Sequence, residues 1–141
     1  ELAGKQKNIA WTSLSRRCLY FNFLLFYRIK GLLSDNLKVD GVLWHQGEGN
    51  RSDTSYFERL TDLVTRLRAD LNNPDLCFVA GEIHGKAIVN EQMAKLVKSV
   101  PATGLARSNE LAVFDNVHFD RKSQLILGKR YATEMLRLLK K

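Results

Sequence analysis

Short apolar segments alternate with longer amphipathic ones along this chain, and this alternation limits its fold more than any other feature. Val39 to Trp44 and Leu76 to Ala80 are apolar runs of strand length, and Thr103 to Arg107 fits a brief third strand. Strands that alternate with helices predict an α/β sandwich with a parallel sheet and right-handed crossovers. We therefore expect a three-layer α/β fold.

Four segments are predicted to be helical because apolar residues recur every three or four positions. They are Arg17 to Leu33, Tyr56 to Leu71, Asn90 to Lys98 and Lys122 to Leu139. Ser52 or Asp53 is expected to cap the second of these helices, and Asn72-Asn73-Pro74 to end it. The polar stretch from Glu1 to Thr12 is predicted to be a loop.

The chain of 141 residues is long enough for one domain with a buried core, so Glu1 to Lys141 is assigned to a single domain. Two or three strands are few for a parallel sheet that is covered on both faces. We therefore expect the back portion of an α/β domain whose N-terminal strands are missing.

The formal net charge of +7 is concentrated at the end of the chain. From position 121 onward there is one acidic residue, Glu134, and seven basic ones: Arg121, Lys122, Lys129, Arg130, Arg137, Lys140 and Lys141. Such a helix can attract nucleic acid, anionic lipid or acidic glycans. A solvated outer face is the favoured interpretation, because no aromatic residues are interleaved for base stacking. No nucleic-acid or membrane partner is expected.

The two cysteines, Cys18 and Cys77, lie in apolar runs and are predicted to be buried free thiols. No spacing of His, Asp or Glu suggests a metal site, and no cofactor is expected. The apolar run from Leu19 to Tyr27 is much shorter than the roughly 20 residues of a membrane span. The compartment is not fixed by these residues.

A polar, glycine-containing loop, His45 to Asn50, directly follows the first predicted strand. Ligands of parallel sheets bind beyond the carboxyl ends of the strands, which is where this loop lies. Gly47 and Gly49 allow a close approach of the backbone to a ligand, Gln46 offers an amide donor, and Glu48 can orient a neighbouring group. A turn whose side chains only satisfy the local backbone is an equally good interpretation.

A second polar cluster, Asp115-Asn116-Val117-His118, precedes the last helix. In a loop or a single turn, the Asp115 carboxylate can reach Nδ1 of His118, fix its tautomer and leave Nε2 free as a general base. The alternative is a helix-capping aspartate beside a surface histidine. His84 is predicted to be a rim or structural residue, and His45 to be half-buried.

Both clusters resemble blocks of the SGNH-type carbohydrate esterases, in the branch of the sialate O-acetylesterases and acetylxylan esterases. The first block is Val42-Leu43-Trp44-His45-Gln46-Gly47-Glu48, and the second is Asp115-Asn116-Val117-His118-Phe119-Asp120 with Ser123-Gln124 and Gly128 to Ala132. Gly49 departs from the serine that usually follows the glutamate. The resemblance implies a flavodoxin-like hydrolase fold and a metal-free serine esterase that removes acetyl groups from sugars.

The same resemblance assigns roles by position. His118 would be the general base and Asp115 its orienting partner, and Gln46 would supply a side-chain donor to the oxyanion hole. Glu48 would support that loop, beside Gly47. A periplasmic or secreted location is compatible with such a family.

The Gly-x-Ser block that carries the nucleophile in that family has no counterpart here. Ser13 and Ser15 lack both a preceding apolar strand and a glycine turn, so no nucleophile is assigned within the chain. We therefore expect an inactive or incomplete fragment that self-associates through an exposed sheet edge. The alternatives are a non-catalytic module that binds acetylated or acidic glycans and, ranked last, a nucleic-acid-binding protein.

Overall fold

The computed structural model describes residues 39–140. The predicted loop from Glu1 to Thr12, the predicted helix from Arg17 to Leu33, and Ser13, Ser15 and Cys18 lie outside the described residues.

Three parallel strands form the sheet of the described region: β1 (Gly41–Trp44), β2 (Cys77–Gly81) and β3 (Thr103–Ala106), in the order β1-β2-β3. Val42 of β1 lies opposite Phe78 of β2, and Val79 of β2 lies opposite Gly104 of β3. The predicted parallel sheet is confirmed. The strands differ from the predicted ranges by one or two residues at their ends.

Helices cover both faces of this sheet: α1 (Tyr56–Asp70), α2 (Ile88–Ser99) and α3 (Arg121–Leu139). Successive residues of a strand point to opposite faces, and β2 shows this clearly. Phe78 and Ala80 pack with α1 and α2, whereas Cys77 and Val79 pack with α3. The predicted three-layer α/β arrangement is therefore confirmed, and Cys77 is a buried free thiol as predicted.

The predicted cap of α1 is wrong. The N-cap residue is Ser55, and its side chain makes no capping hydrogen bond. Asp53 is instead drawn into contacts with the Arg59 guanidinium, the Asn50 amide and the Ser55 hydroxyl. At α3 the cap is conventional, because the Asp120 carboxylate accepts the backbone N–H of Ser123 at 2.7 Å.

Some of the positive charge on α3 serves the fold. Arg130 donates to the backbone oxygens of Arg107 and Asn109 at 2.8 and 2.9 Å, and Arg137 pairs with Glu134 at 2.7 Å. Within residues 39–140, no helix combines the length and the apolar character needed to cross a membrane.

Candidate active site

The loops that follow the three strands converge at the carboxyl ends of the strands. His45 directly follows β1, His84 follows β2, and the loop that carries Asp115 and His118 connects β3 to α3. In open parallel sheets, ligands bind beyond the carboxyl ends of the strands. The fold therefore brings together residues that are far apart in the sequence.

A pocket of about 290 Å³ opens at these strand ends, between the β1 loop and the start of α3. It brings His118 together with Glu48, whereas Gln46 and Gly47 do not line it. The lining contains no serine, threonine or cysteine: it consists of His45, Glu48, Val117, His118, Phe119, Gln124, Leu127, Gly128 and Tyr131. A nucleophile for this pocket has to come from outside its described lining.

Asp115 and His118 form a close pair. Oδ2 of Asp115 lies 2.6 Å from Nδ1 of His118, and Oδ1 accepts the backbone N–H groups of His118 and Val117 at 2.7 and 3.1 Å. Asp115 therefore does not cap α3. With Nδ1 held by the carboxylate, Nε2 is the ring nitrogen left for chemistry.

The loop around this pair is closed on itself. Val113 and Phe119 form an antiparallel bridge, and the backbone N–H of Phe114 donates to the carbonyl of His118 at 3.0 Å. Asn116 turns the chain with a φ of +69°, a conformation that asparagine tolerates. The Phe114 ring, 70% exposed, stacks on the His118 imidazole with the ring centroids 5.9 Å apart.

The charges of the pair stabilise each other. The backbone N–H and imidazole of His118 lower the pKa of Asp115 to about 2, and the hydrogen bond and charge of Asp115 raise the pKa of His118, with a further contribution from Glu48. Asp115 thus stabilises the fold above pH 3.8 and loses this contribution as the pH falls towards 2. His118 contributes fully below pH 6.5 and loses its contribution as the pH rises through its folded pKa.

Replacing Asp115 with asparagine should lower the pKa of His118 towards 6.5, because the charge and the acceptor that stabilise the imidazolium are lost. Titration of the His118 ring protons by NMR measures this. Asp120→Asn, which removes a carboxylate that caps α3, is the control and should leave the His118 titration nearly unchanged. Equal shifts in both variants would contradict the pairing.

His45 belongs to a second polar group in the pocket, a role that its sequence position did not indicate. The buried Tyr131 hydroxyl donates to the Trp44 carbonyl at 2.6 Å and lies 3.2 Å from Nδ1 of His45. Since its one proton goes to Trp44, Tyr131 accepts from His45. Nε2 of His45 lies 3.5 Å from the Glu48 carboxylate. Burial is the main cause that raises the pKa of Tyr131, and the charge interactions with Glu48 and Tyr56 raise it further. Tyr131 therefore keeps the proton that it donates.

The Gln46 amide is held at both ends. Its Oε1 accepts from the Tyr56 hydroxyl at 2.7 Å, and its Nε2 donates to Oδ1 of Asn50 at 2.9 Å. The sequence did not indicate that Tyr56 would bind Gln46. Tyr56 lies in the apolar stripe of α1, which predicted only a residue of the core. Within residues 39–140, no group of three His, Cys, Asp or Glu side chains could hold a metal ion.

Replacing Gly47 with alanine should destabilise the fold by about 1–3 kcal/mol. Its φ of +150° disfavours any side chain, and a Cβ would lie 3.2–3.3 Å from methyl groups of Val89 and Ile83. Urea unfolding measures the change. Gly49→Ala is the matched control, because a Cβ there meets no atom within 4 Å. Equal stability of the two variants would refute this account.

Comparisons with known proteins identify the family and the fold. A family model described as carbohydrate esterase, sialic acid-specific acetylesterase, matches residues 3–137. No curated protein matches the chain significantly.

Two solved structures share the fold. A protein from Arabidopsis thaliana superimposes with a TM-score of 0.73 at 24% identity, over 84% of this chain and 52% of its own. A carbohydrate acetylesterase from Xanthomonas citri gives a TM-score of 0.62 at 23% identity, over 71% of this chain and 26% of its own. The chain thus spans about half the length of the first structure and about a quarter of the second. By the family model, which covers nearly its whole length, this chain belongs to the sialic acid-specific acetylesterase family of carbohydrate esterases.

Proposed function

We propose that this chain supplies the general base of a carbohydrate O-acetylesterase, and that a serine outside residues 39–140 supplies the nucleophile. The observation that carries the proposal is the 2.6 Å contact between Asp115 and Nδ1 of His118 beside the pocket. This contact leaves Nε2 of His118 for proton transfer, and no described residue hydrogen-bonds it. The substrate class is an acetylated sugar, with no metal or cofactor.

In the proposed reaction, Nε2 of His118 takes the proton of the serine hydroxyl as its oxygen attacks the acetyl carbonyl. The imidazolium, stabilised by Asp115, then gives this proton to the sugar oxygen, and the sugar leaves as an alcohol. Water, activated by the same nitrogen, cleaves the acetyl-serine and releases acetate. Gln46 lies next to His45, outside the described pocket lining, and is proposed to donate to the oxyanion from there, while Gly47 and Glu48 hold the loop that carries it.

We expect the chain alone to hydrolyse a chromogenic acetyl ester at a negligible rate, because no nucleophile lies in the described pocket lining. Adding the nucleophile-bearing N-terminal segment of an active family member should restore turnover. If His118→Ala leaves that turnover unchanged, the proposed function is wrong. If the chain alone is active and His118→Ala abolishes it, the nucleophile lies within the chain, with Ser13 and Ser15 as the candidates.

The second candidate is a non-catalytic module that binds acetylated or acidic glycans. The absence of serine, threonine and cysteine from the described pocket lining, together with the basic α3, favours it. Glycan binding that persists in His118→Ala, without turnover after complementation, would support this candidate over the first. Neither candidate involves a nucleic-acid or membrane partner.

We also propose that the chain self-associates through β1. In the described sheet β1 pairs on one side only, and its Leu43 is 58% exposed. An open strand edge with exposed apolar groups favours pairing between molecules. Sedimentation velocity should show association that rises with concentration and weakens in Leu43→Lys. A monomer over the whole concentration range would contradict this proposal.

A further inference from the structure

A chain of hydrogen bonds runs from the end of β1 to the start of α1. Trp44, Tyr56, Gln46, Asn50 and Asp53 are its members, and we name them the amide relay. Its side chains are buried or partly buried. In a protein interior each such bond has a preferred direction, since an amide or hydroxyl that points the wrong way leaves a polar group unpaired.

The Asp53 end fixes the direction of the relay. An ionised carboxylate only accepts hydrogen bonds, and Asp53 is paired with Arg59. Nδ2 of Asn50 therefore donates to Asp53 at 3.1 Å, which turns Oδ1 of Asn50 towards Gln46. Gln46 must then present Nε2 to Asn50 at 2.9 Å and Oε1 to Tyr56.

The Trp44 end is compatible with the same direction. An indole N–H can only donate, and Nε1 of Trp44 donates to the Tyr56 hydroxyl at 3.1 Å. The single Tyr56 proton then points to Gln46, whose Oε1 and backbone oxygen lie 2.7 and 2.9 Å away. The Asp53 end therefore leaves the Gln46 amide with one orientation, in which Oε1 accepts from the Tyr56 hydroxyl.

We propose that Tyr56 is a positioning residue, which acts with Asp53 to lock the Gln46 amide so that one Nε2 hydrogen is held by Asn50 and the other is kept for a ligand oxygen. No described residue accepts that second hydrogen. The ligand assignment rests on the proposed function: the oxygen is the acetyl carbonyl, which becomes negatively charged during attack. The locked orientation itself does not depend on turnover.

NMR of the ¹⁵N-labelled chain tests the lock through the Gln46 side-chain amide. In the wild type, one Gln46 Hε should be protected from hydrogen exchange and the other should not. Tyr56→Phe should make the protected hydrogen exchange roughly fivefold faster or more, and shift both signals, because the hydrogen bond that holds Oε1 of Gln46 is gone. Thr61→Val is the matched control: it removes a hydroxyl of α1 that bonds only to the Phe57 carbonyl.

Asp53→Asn changes the opposite end of the amide relay. It keeps the proposal testable if Tyr56→Phe does not fold. It removes the acceptor-only anchor, so the Gln46 amide should show two sets of signals or lose its protection. Unchanged Gln46 signals in either folded variant, or equal changes in Thr61→Val, would overturn the proposal. Because the readout needs no catalysis, a lack of esterase activity in the complemented protein would count against the proposed function and not against the lock.

Discussion

Replacing His118 with alanine should lower kcat/KM for acetyl-ester hydrolysis about 10⁴-fold or more in the complemented protein. The loss is large because His118 would act in every proton transfer: it activates the serine, protonates the leaving sugar and activates water. Since most of its side chain is exposed, at 65%, the substitution should leave the fold intact. Steady-state kinetics with a chromogenic acetyl ester measure the effect.

The companion variants separate catalysis from structure. Asp115→Asn keeps the shape of the side chain but loses the charge that stabilises the imidazolium, so kcat should also fall by several orders of magnitude. His84→Ala is the control, since that ring packs against Phe119 and does not line the pocket. Comparable losses of activity in His84→Ala and His118→Ala would show that the effect is not specific to His118. They would contradict its role as the general base.

Replacing Gly81 with alanine should cost about 3 kcal/mol of folding free energy, the largest stability effect that we predict. A Cβ at Gly81 would overlap the Tyr131 hydroxyl and lie 2.9 Å from Cε2 of its ring. Tyr131 is only 7% exposed and is tied to the Trp44 carbonyl and to His45, so it cannot move without losing these contacts. Urea unfolding gives the value.

Two further variants test this explanation. Gly104→Ala places a Cβ 3.1 Å from a flexible Glu134 carboxylate oxygen, so its cost should be much smaller. In Gly81→Ala/Tyr131→Ala the clash is gone, so the double variant should be more stable than the sum of the two single effects. Additive effects would mean that Gly81 is needed for a reason other than space for Tyr131.

The elements of the fold were predictable because each leaves a local pattern. The apolar run at β2 is buried throughout, and the spacing of three and four in α1 corresponds to the face that packs on the sheet. The cap of α1 was not predictable, because Asp53 is recruited by Arg59, and the sequence alone does not show which of several nearby partners a carboxylate chooses.

In the candidate site, too, some contacts could be predicted from the sequence and others could not. Asp115 and His118 are three positions apart, so a turn is enough to bring them together, and this contact could be anticipated. His45 and Tyr131 are 86 positions apart and meet only because β1 and α3 pack on the same sheet. Tyr131 lies in an apolar helical stripe, where an aromatic residue is usually core, so nothing in its surroundings revealed the polar contact of its hydroxyl.

The closed loop between Val113 and Phe119 implies that the two walls of the pocket differ in how far they depend on global folding. The His118 wall is built from neighbours in the sequence, held by a short bridge and the capped start of α3. The His45 wall exists only while β1 stays in the sheet. Partial opening at the β1 edge would therefore dismantle the pocket and leave the acid–base pair assembled, so loss of binding would precede loss of the raised His118 pKa during unfolding.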